Sequence, residues 1–426
     1  MRFSSKSWVV GGACAVVAAA ICGQGCGSGD GSEFPGGPGS SGSSGASGIV
    51  GPGFETDSGS SGSSGSSGVD PLASCATAKA EAKRLPVYMQ FIIDGSGSMD
   101  GATGVQPPFD AAQREPDPAN ANRVTGKKWI AVRDALSAFF DDLAAKNDPS
   151  FAVGLYLFES NAPKGTTGVD VPIKFVDVAH ATALKARMAP PNFGLNGTPL
   201  CTSIAGQLPL LKAYSPAAPV QPGGKYVLVA MTDGIPNGGG NARADCISAV
   251  TGAKTGTPAV ASFAVGVGNE DADQTIAYDE VFMKDLALAG GTAVTGCNQN
   301  WGNADKTGTP CHFQITPGTK TAAAIKADFL AAINAIRDAV SSCEFPLTKP
   351  AGSGDIDPAN VNVVMTSGAG ADSTVPQNAT DGWAYDNAAA PTKVTLNGKA
   401  CATLKADPAA KINIVIGCKT ITDVTK

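Results

Sequence analysis

Short, continuously apolar runs alternate with amphipathic segments through the middle of the chain. The runs are rich in Val, Ile and Phe, which is typical of strands buried on both faces of a parallel sheet. They span residues 87–93, 151–158, 225–231 and 259–267. Between them, apolar residues recur every three or four positions, which predicts helices that pack one face against the sheet. These helices are expected over residues 127–145, 180–188, 198–214, 242–253, 278–289 and 320–340.

This alternation predicts an α/β fold for residues 71–343: a doubly wound, mostly parallel sheet flanked by helices. Residues 169–178 are expected to form an edge strand, and residues 290–318 a strand pair. The Ala, Lys and Glu content of residues 71–86 favours a helix before the first strand. The helix over 127–145 carries one apolar stripe, formed by Trp129, Val132, Leu136, Phe139 and Leu143.

The pattern changes after residue 343. Short apolar stretches separated by Gly, Pro and Asp turns predict a small all-β module over residues 344–426. Its strands are expected at residues 361–365, 383–385, 393–396 and 411–416.

The first 70 residues do not have the pattern of a folded domain. Arg2 and Lys6 precede a small, apolar stretch over residues 8–22, which is too short to span a bilayer comfortably. Residues 1–26 are therefore predicted to be an export signal of the lipoprotein type, with a weak membrane anchor as the alternative. Cys22 or Cys26 would carry the lipid, and the small, polar residues after Cys26 favour that position. Residues 27–70 are a Gly/Ser-rich flexible linker that would let the next domain stand off a membrane.

Charge and cysteine content narrow the class of protein. A net charge of −6 provides no basic surface and argues against nucleic acid as a partner. Eleven cysteines indicate an oxidising compartment, so we expect an exported protein of the cell envelope: outer-membrane, periplasmic or surface-facing. The even number of cysteines after residue 26 predicts four disulfides. The expected pairs are Cys75–Cys343, Cys401–Cys418, Cys297–Cys311 and Cys201–Cys246.

The loop after the first apolar run carries the candidate chemistry. Asp94 ends the run, and Ser96 and Ser98 follow among glycines. Asp94 is thus expected at the carboxyl end of a parallel strand, where open α/β sheets place their ligand sites. One carboxylate and two hydroxyls are hard oxygen donors, which suit Mg²⁺.

Two distant residues complete a known pattern. Thr198 lies in a Gly-Thr-Pro sequence, and Asp233 lies in a Thr-Asp-Gly turn after the run 225–231. Asp-x-Ser-x-Ser followed by this Thr and this Asp resembles the metal-ion-dependent adhesion site (MIDAS) of von Willebrand factor A (VWA) domains. Asp-x-Ser-x-Ser alone arises by chance in a Ser-rich chain, but the ordered combination of all five positions is specific. The resemblance covers roughly residues 85–343.

The resemblance implies a Mg²⁺ site, with Mn²⁺ or Ca²⁺ as alternatives. It implies that Ser96, Ser98 and Thr198 contact the ion directly or nearly so, while Asp94 and Asp233 act largely through water. An open coordination position would accept a carboxylate from an acidic side chain of a partner protein. Mg²⁺ keeps several waters in an octahedral shell, so this donor set leaves room for such a ligand.

Two features near the site have simpler interpretations. Thr198 precedes Pro199, so its hydroxyl could instead cap the helix over 198–214. The polar, Pro-containing stretch 100–126 follows the Asp94 loop directly. It could gate or contact the ligand, or be a tolerated surface insertion.

The resemblance favours a cell-envelope lipoprotein that displays a VWA domain on a tether and binds a protein ligand. A scaffold that uses the site for complex formation in the envelope is the alternative, and a hydrolase using Ser98 or the metal is a remote one. The sequence has no Gly-x-Ser-x-Gly elbow, phosphate-binding loop or Cys-x-x-Cys pair. His180 and His312 are expected to be surface or capping residues, and we expect a protein that is not an enzyme.

Overall fold

The computed structural model of the chain describes residues 72, 74–101, 111–159, 170–189, 197–237, 243–268, 279–301, 306–317, 319–347, 356–407 and 410–423. The predicted export signal (1–26) and linker (27–70) lie outside this part of the chain. Within it, no helix has both the length and the apolar character needed to cross a membrane.

The described part of the chain contains fifteen strands and seven α-helices. The strands are β1 (Ala78–Ala82), β2 (Val87–Gly95), β3 (Arg114–Asp117), β4 (Asn120–Gly126), β5 (Phe151–Glu159), β6 (Val171–Phe175), β7 (Lys225–Thr232), β8 (Val260–Val267), β9 (Phe313–Ile315), β10 (Glu344–Pro346), β11 (Val361–Thr366), β12 (Asp372–Val375), β13 (Trp383–Tyr385), β14 (Lys393–Leu396) and β15 (Lys411–Ile416). The helices are α1 (Lys127–Lys146), α2 (Val178–Arg187), α3 (Leu200–Lys212), α4 (Arg243–Thr255), α5 (Glu280–Gly290), α6 (Ala322–Val340) and α7 (Gly398–Ala406).

The main sheet has the strand order β6-β5-β2-β7-β8-β9. Its strands are parallel except β6, which pairs antiparallel with β5 at one edge. From β2 the chain moves outward to β5 and β6, and then returns to β7 on the other side of β2. The winding therefore reverses between β2 and β7. In open α/β sheets the carboxyl ends of the strands at such a reversal are the usual place for a ligand site.

Helices cover both faces of this sheet. α1, α2 and α6 contribute to the hydrophobic core on one face, and α3, α4 and α5 to the core on the other. Successive side chains of β2 point into opposite cores. Phe91 packs edge-on against Phe139 of α1, with ring centroids 6.2 Å apart, and Ile92 packs into the core on the other face. The predicted apolar stripe of α1 is buried throughout. The predicted doubly wound, mostly parallel sheet is confirmed. The described parts of residues 290–318 hold one strand, β9, rather than the expected pair.

The remaining strands form a smaller antiparallel module. Strands β1, β15, β11 and β12 make one sheet, and β10, β14 and β13 make another. The two sheets share a core that includes Phe345, Trp383 and Ile414. Helix α7 also packs into this core through Leu404, so the module is not entirely β as the sequence predicted.

The predicted helix over residues 71–86 is wrong. Residues Ala78–Ala82 form β1, which pairs antiparallel with β15 so that Ala78 lies opposite Ile416. Lys79 and Glu81 are exposed while Ala78, Ala80 and Ala82 are half-buried, which is the alternation of a strand. Pairing with β15 outweighs the helix propensity of Ala, Lys and Glu. The antiparallel module therefore contains residues from before the main sheet as well as residues after it.

This pairing also corrects the predicted disulfides. Because β1 lies beside β15, Cys75 bonds to Cys418 rather than to Cys343. Cys343 bonds to Cys401 on α7, so the expected Cys401–Cys418 pair is also wrong. The local Cys297–Cys311 bridge is confirmed. Cys201 and Cys246 are buried free thiols, which contradicts the fourth expected pair. A hydrogen bond with Cys201, together with burial, raises the pKa of Cys246 above its usual range.

Candidate metal centre

Asp94 and Asp233 meet at the point where the sheet reverses its winding. Asp94 is the next-to-last residue of β2, and Asp233 directly follows β7, the neighbouring parallel strand. Both carboxylates are fully buried. Residues that are 139 positions apart in the sequence thus share one hollow, because parallel strands present their carboxyl ends at the same edge.

Hydrogen bonds hold the Asp94 carboxylate on both of its oxygens. The backbone N–H of Ser96 donates to Oδ1 at 2.7 Å, which tightens the loop after β2. The hydroxyl of Thr232, at the end of β7, donates to Oδ2 at 2.5 Å. Thr232 therefore ties the two strand ends together, a role that the sequence analysis did not foresee.

The two serines connect the Asp94 loop to Asp233. Ser96 Oγ and Ser98 Oγ lie 3.0 Å apart, and Ser98 Oγ donates to Asp233 Oδ1 at 2.7 Å. Ser98 sits in a short 3₁₀ turn, Gly97–Asp100, that begins directly after Ser96. This turn brings the Ser98 hydroxyl over the end of β7.

Thr198 packs against Gly234, the residue that follows Asp233. A Cβ atom at Gly234 would lie 2.6 Å from Thr198 Oγ1, so the close approach of this hydroxyl requires glycine there. Asn237 holds the backbone of Thr198: its side-chain Oδ1 accepts from Thr198 N at 2.7 Å, and its N–H donates to Thr198 O at 2.9 Å. The N-cap residue of α3 is Pro199, with no side-chain cap, so Thr198 does not cap the helix. Four of the five predicted residues, Asp94, Ser96, Ser98 and Asp233, are linked by hydrogen bonds, and Thr198 packs beside Gly234, the residue after Asp233.

The hollow also contains a cation that the sequence analysis missed. Lys128 Nζ lies 2.8 Å from Asp233 Oδ2, and its side chain is 12% exposed. Lys127 and Lys128 occupy the first turn of α1, which carries no acidic residue. A helix N-terminus disfavours positive charge. The two lysines at the predicted start of this helix were therefore a sequence signal that one of them pairs with an acidic residue outside the helix.

The insertion over residues 100–126 sets the position of Lys128. Its described part contains the β3–β4 hairpin, and β4 runs directly into α1. At this junction a side chain on Gly126 would collide with the backbone of Met99 and Asp100. The Gly126 N–H donates to Asp100 Oδ1 at 2.7 Å. The start of α1 is thereby fixed against the serine loop, which carries Ser96 and Ser98, and lies within reach of Asp233.

The two carboxylates influence each other electrostatically. Burial, and then the nearby charge of Asp233, raise the pKa of Asp94 to about 7, against the opposing effect of the hydrogen bonds from Thr232 and Ser96. Two buried carboxylates side by side are costly to ionise together unless a cation lies between them. At neutral pH the hollow therefore favours a bound cation.

The donor set fits a hard divalent ion. Two carboxylates and three hydroxyls are all oxygen ligands, which Mg²⁺, Mn²⁺ and Ca²⁺ prefer. No cluster of three or more His, Cys, Asp or Glu side chains is found among the described residues, so hydroxyl groups would have to supply part of the ligand set here.

Both histidines are buried, so the prediction that they are surface or capping residues is wrong. The His180 ring bonds through Nε2 to the backbone carbonyl of Val153 at 2.7 Å, and burial lowers the pKa of His180. Burial lowers the pKa of His312 to about 4. At neutral pH both rings are therefore uncharged core groups.

The sequence matches no protein-family model and no curated protein significantly. Three solved structures illustrate its structural similarities. The PilB minor pilin from Streptococcus sanguinis aligns over 60% of this chain and 62% of its own, at 14% identity and a TM-score of 0.36. Proximal thread matrix protein 1 from the mussel byssus, with a zinc-occupied MIDAS motif, aligns over 66% and 52%, at 14% identity and a TM-score of 0.34. The vWF domain of the type V pili tip protein Mfa5 from Porphyromonas gingivalis aligns over 65% and 99%, at 10% identity and a TM-score of 0.35.

This chain thus spans less than two thirds of the length of the first two proteins. At TM-scores this low we draw no functional conclusion from the three structures. The case for a metal centre rests on the geometry of this chain.

Proposed function

We propose that this protein binds a partner protein through a divalent cation held by Asp94, Ser96, Ser98, Thr198 and Asp233. The observation that carries the proposal is the pair of fully buried carboxylates, Asp94 and Asp233, joined to the serine hydroxyls where the sheet reverses its winding. A buried acidic pair of this kind is stable only with compensating positive charge. The resemblance to a VWA-type MIDAS supports Mg²⁺ as the ion, with Mn²⁺ or Ca²⁺ as alternatives.

The chemistry proposed is capture rather than catalysis. The serine and threonine hydroxyls would contact the ion, while Asp94 and Asp233 would hold those hydroxyls and neutralise its charge. A hydroxyl-rich set of ligands leaves the ion electrophilic, so its open position would take a carboxylate from an acidic side chain of the partner. Since both histidines are uncharged and buried, we propose adhesion or another protein interaction, and no hydrolysis.

Removing Asp233 is expected to abolish binding of the ion. We expect titration calorimetry of Mg²⁺ and Mn²⁺ into the full chain to show binding for the wild type and none for Asp233→Ala, since this change removes one of the two charges that attract the ion. The full chain is needed because β1 and the Cys343–Cys401 bridge join the antiparallel module to segments at both ends of residues 71–343. Asp372→Ala is the matched control, because Asp372 is a half-exposed carboxylate on β12 of the antiparallel module.

Equal heats in wild type and Asp233→Ala would mean that the wild-type protein binds no ion at these residues, and the proposed function would be wrong. With the metal site established, acidic peptides should compete for partner capture and EDTA should abolish it.

We further propose that the protein is tethered to the cell envelope through a lipid on Cys26 or Cys22. The sequence of residues 1–70 supports this, and the disulfides of the folded part fit an oxidising compartment. We expect the wild type to enter the detergent phase in a phase-partition assay, and the alanine variant of the lipidated cysteine to stay in the aqueous phase. Cys14→Ala, a change within the apolar stretch, is the matched control. The lipid anchor is disproved if neither Cys22→Ala nor Cys26→Ala releases the protein.

A further inference from the structure

We infer that Lys128 is an internal cation that occupies the metal-free site and must leave Asp233 before a divalent ion can bind there. The inference rests on the proposed metal site and adds a regulatory element to it. In the metal-free protein the ammonium group closes the hollow, and metal binding is an exchange of one cation for another.

The hydrogen bonds of Asp233 show why the two cations compete. Asp233 Oδ1 accepts from Ser98 Oγ at 2.7 Å, and Asp233 Oδ2 accepts from Lys128 Nζ at 2.8 Å. Both oxygens of this carboxylate are therefore in use. A divalent ion whose charge is neutralised by Asp233 must lie close to the ammonium group that is already bound to Oδ2. The two positive charges repel each other at such short range in a buried site.

The position of Lys128 in the fold indicates that this contact is specific. A lysine in the first turn of a helix is disfavoured by the helix dipole, so an interaction outside the helix must compensate for it. Lys127, one residue earlier, lies at the surface and donates to the carbonyl of Ala112 at 2.7 Å. Lys128 points the other way, into the hollow, where its partner is fully buried. The close approach of Gly126 to Met99 and Asp100 fixes the helix start that aims it there.

Lys128 is also able to leave. Its side chain keeps a 12% exposed fraction, whereas Asp233 is fully buried, so Lys128 is the partner that retains contact with solvent. A lysine has a flexible four-carbon stem and a strongly hydrated head, which can rotate into water without moving the helix. The wild-type site is therefore expected to bind a divalent ion more weakly than its five oxygen ligands would on their own.

The test compares Lys128→Met with Lys127→Met in the full chain. Methionine keeps the length of the lysine stem and removes the charge, and Lys127 provides the same change one residue away at the surface. We expect Mg²⁺ and Mn²⁺ to bind Lys128→Met at least about tenfold more tightly than wild type, because a charge this close alters the proton affinity of a carboxylate by one to three powers of ten and acts on a divalent ion in the same direction. Lys127→Met should bind as wild type does. Titration calorimetry at fixed ionic strength measures all three proteins.

Melting temperature provides a second readout that a purely structural role would not reproduce. In EDTA, Lys128→Met should melt below wild type, because Asp233 is left buried without its partner. In saturating Mg²⁺ it should gain more from the metal than wild type gains. A lysine that only stabilises the helix start would lower the melting temperature equally in both conditions.

The outcomes separate this inference from the proposed function. If wild type and Lys128→Met bind Mg²⁺ with equal affinity and Asp233→Ala does not bind it, the role of Lys128 is wrong but the metal site is supported. Binding by Lys128→Met alone would confirm Lys128 as the resident cation and overturn metal binding by the wild type. Binding by none of these proteins would overturn both.

Discussion

Replacing Asp94 with asparagine is expected to stabilise the metal-free protein at pH 8 and, at the same time, to abolish its response to Mg²⁺. Both effects come from one buried charge. Burial and the neighbouring Asp233 raise the pKa of Asp94 to about 7. An unfolded aspartate has a pKa of about 3.9, so the folded protein holds this proton over a range in which the unfolded chain has lost it.

The sign of the pH dependence follows from that difference. Below about pH 4 the carboxyl is protonated in both states and contributes no penalty. Between about pH 4 and pH 7 only the unfolded chain loses the proton, so the free energy of unfolding decreases as the pH rises. Three pKa units correspond to about 4 kcal/mol, which is the upper limit of the cost above pH 7. Asp94→Asn removes this cost, because the amide stays neutral at every pH.

Chemical denaturation in EDTA at pH 4.5 and pH 8 measures the effect. The advantage of Asp94→Asn over wild type should be small at the lower pH and largest at the higher one. Asp233→Asn is the matched comparison: it also abolishes metal binding, but it removes the partner of Lys128 and should therefore bring no such gain. If the stability of Asp94→Asn depends on pH in the same way as that of wild type, the charge of Asp94 does not destabilise the metal-free protein.

Charge balance connects Asp94 with Lys128. Below about pH 7 in the metal-free hollow, the ammonium group of Lys128 compensates Asp233, and a proton on Asp94 removes the charge of the second carboxylate. A divalent ion brings two positive charges and replaces both. Metal binding is then expected to release a proton at pH values below about 7, because the raised pKa of Asp94 must be overcome.

Much of this arrangement could be predicted from the sequence because the main sheet follows a strong pattern. Continuous apolar runs such as residues 87–93 are short and rich in β-branched and aromatic residues, which favours buried strands, and the residue that ends each run is then expected at the carboxyl edge of the sheet. This logic alone places Asp94 and Asp233 near each other. Thr198 was assigned to the same site because its Gly-Thr-Pro sequence resembles part of a known motif.

The parts that could not be predicted depend on contacts between distant residues. Residues 78–82 have a helix-forming composition, and only the open edge of β15 makes them a strand. The partner of Cys75 follows from that pairing, so pairing the cysteines within the predicted domain boundaries assigned Cys75 and Cys418 wrongly. Lys128 belongs to the same class of error, since its partner Asp233 is 105 positions away. Propensity and local periodicity contain no information about such pairings.

The insertion between the serine loop and α1 provides the second large expected effect: Asp117→Ala should lower the free energy of unfolding by about 3 kcal/mol or more. Asp117, at the end of β3, is fully buried, and Arg133 Nη1 of α1 donates to its Oδ2 at 2.7 Å. The Arg133 side chain is 7% exposed. Removing the carboxylate leaves this guanidinium group buried with its second partner, Asp134, which is far more exposed.

Asp134→Ala is the matched control, because Asp134 accepts from Nε of the same Arg133 at 2.8 Å but its side chain is 28% exposed. An ion pair with that exposure is worth about 0–1 kcal/mol, so the control should lose little. Urea denaturation of the two variants measures the difference.

The pH dependence gives the Asp117 prediction a further check. Burial raises the pKa of Asp117, but the hydrogen bonds from Arg133 and Ala119 and the charge of Arg133 outweigh it and hold the pKa below its usual value. The stability from this pair is therefore present above about pH 4 and is lost as the pH falls through the lowered pKa. The gap between wild type and Asp117→Ala should accordingly narrow in acid. Equal losses in Asp117→Ala and Asp134→Ala at neutral pH would mean that the buried Asp117–Arg133 pair does not hold the β3–β4 hairpin against α1.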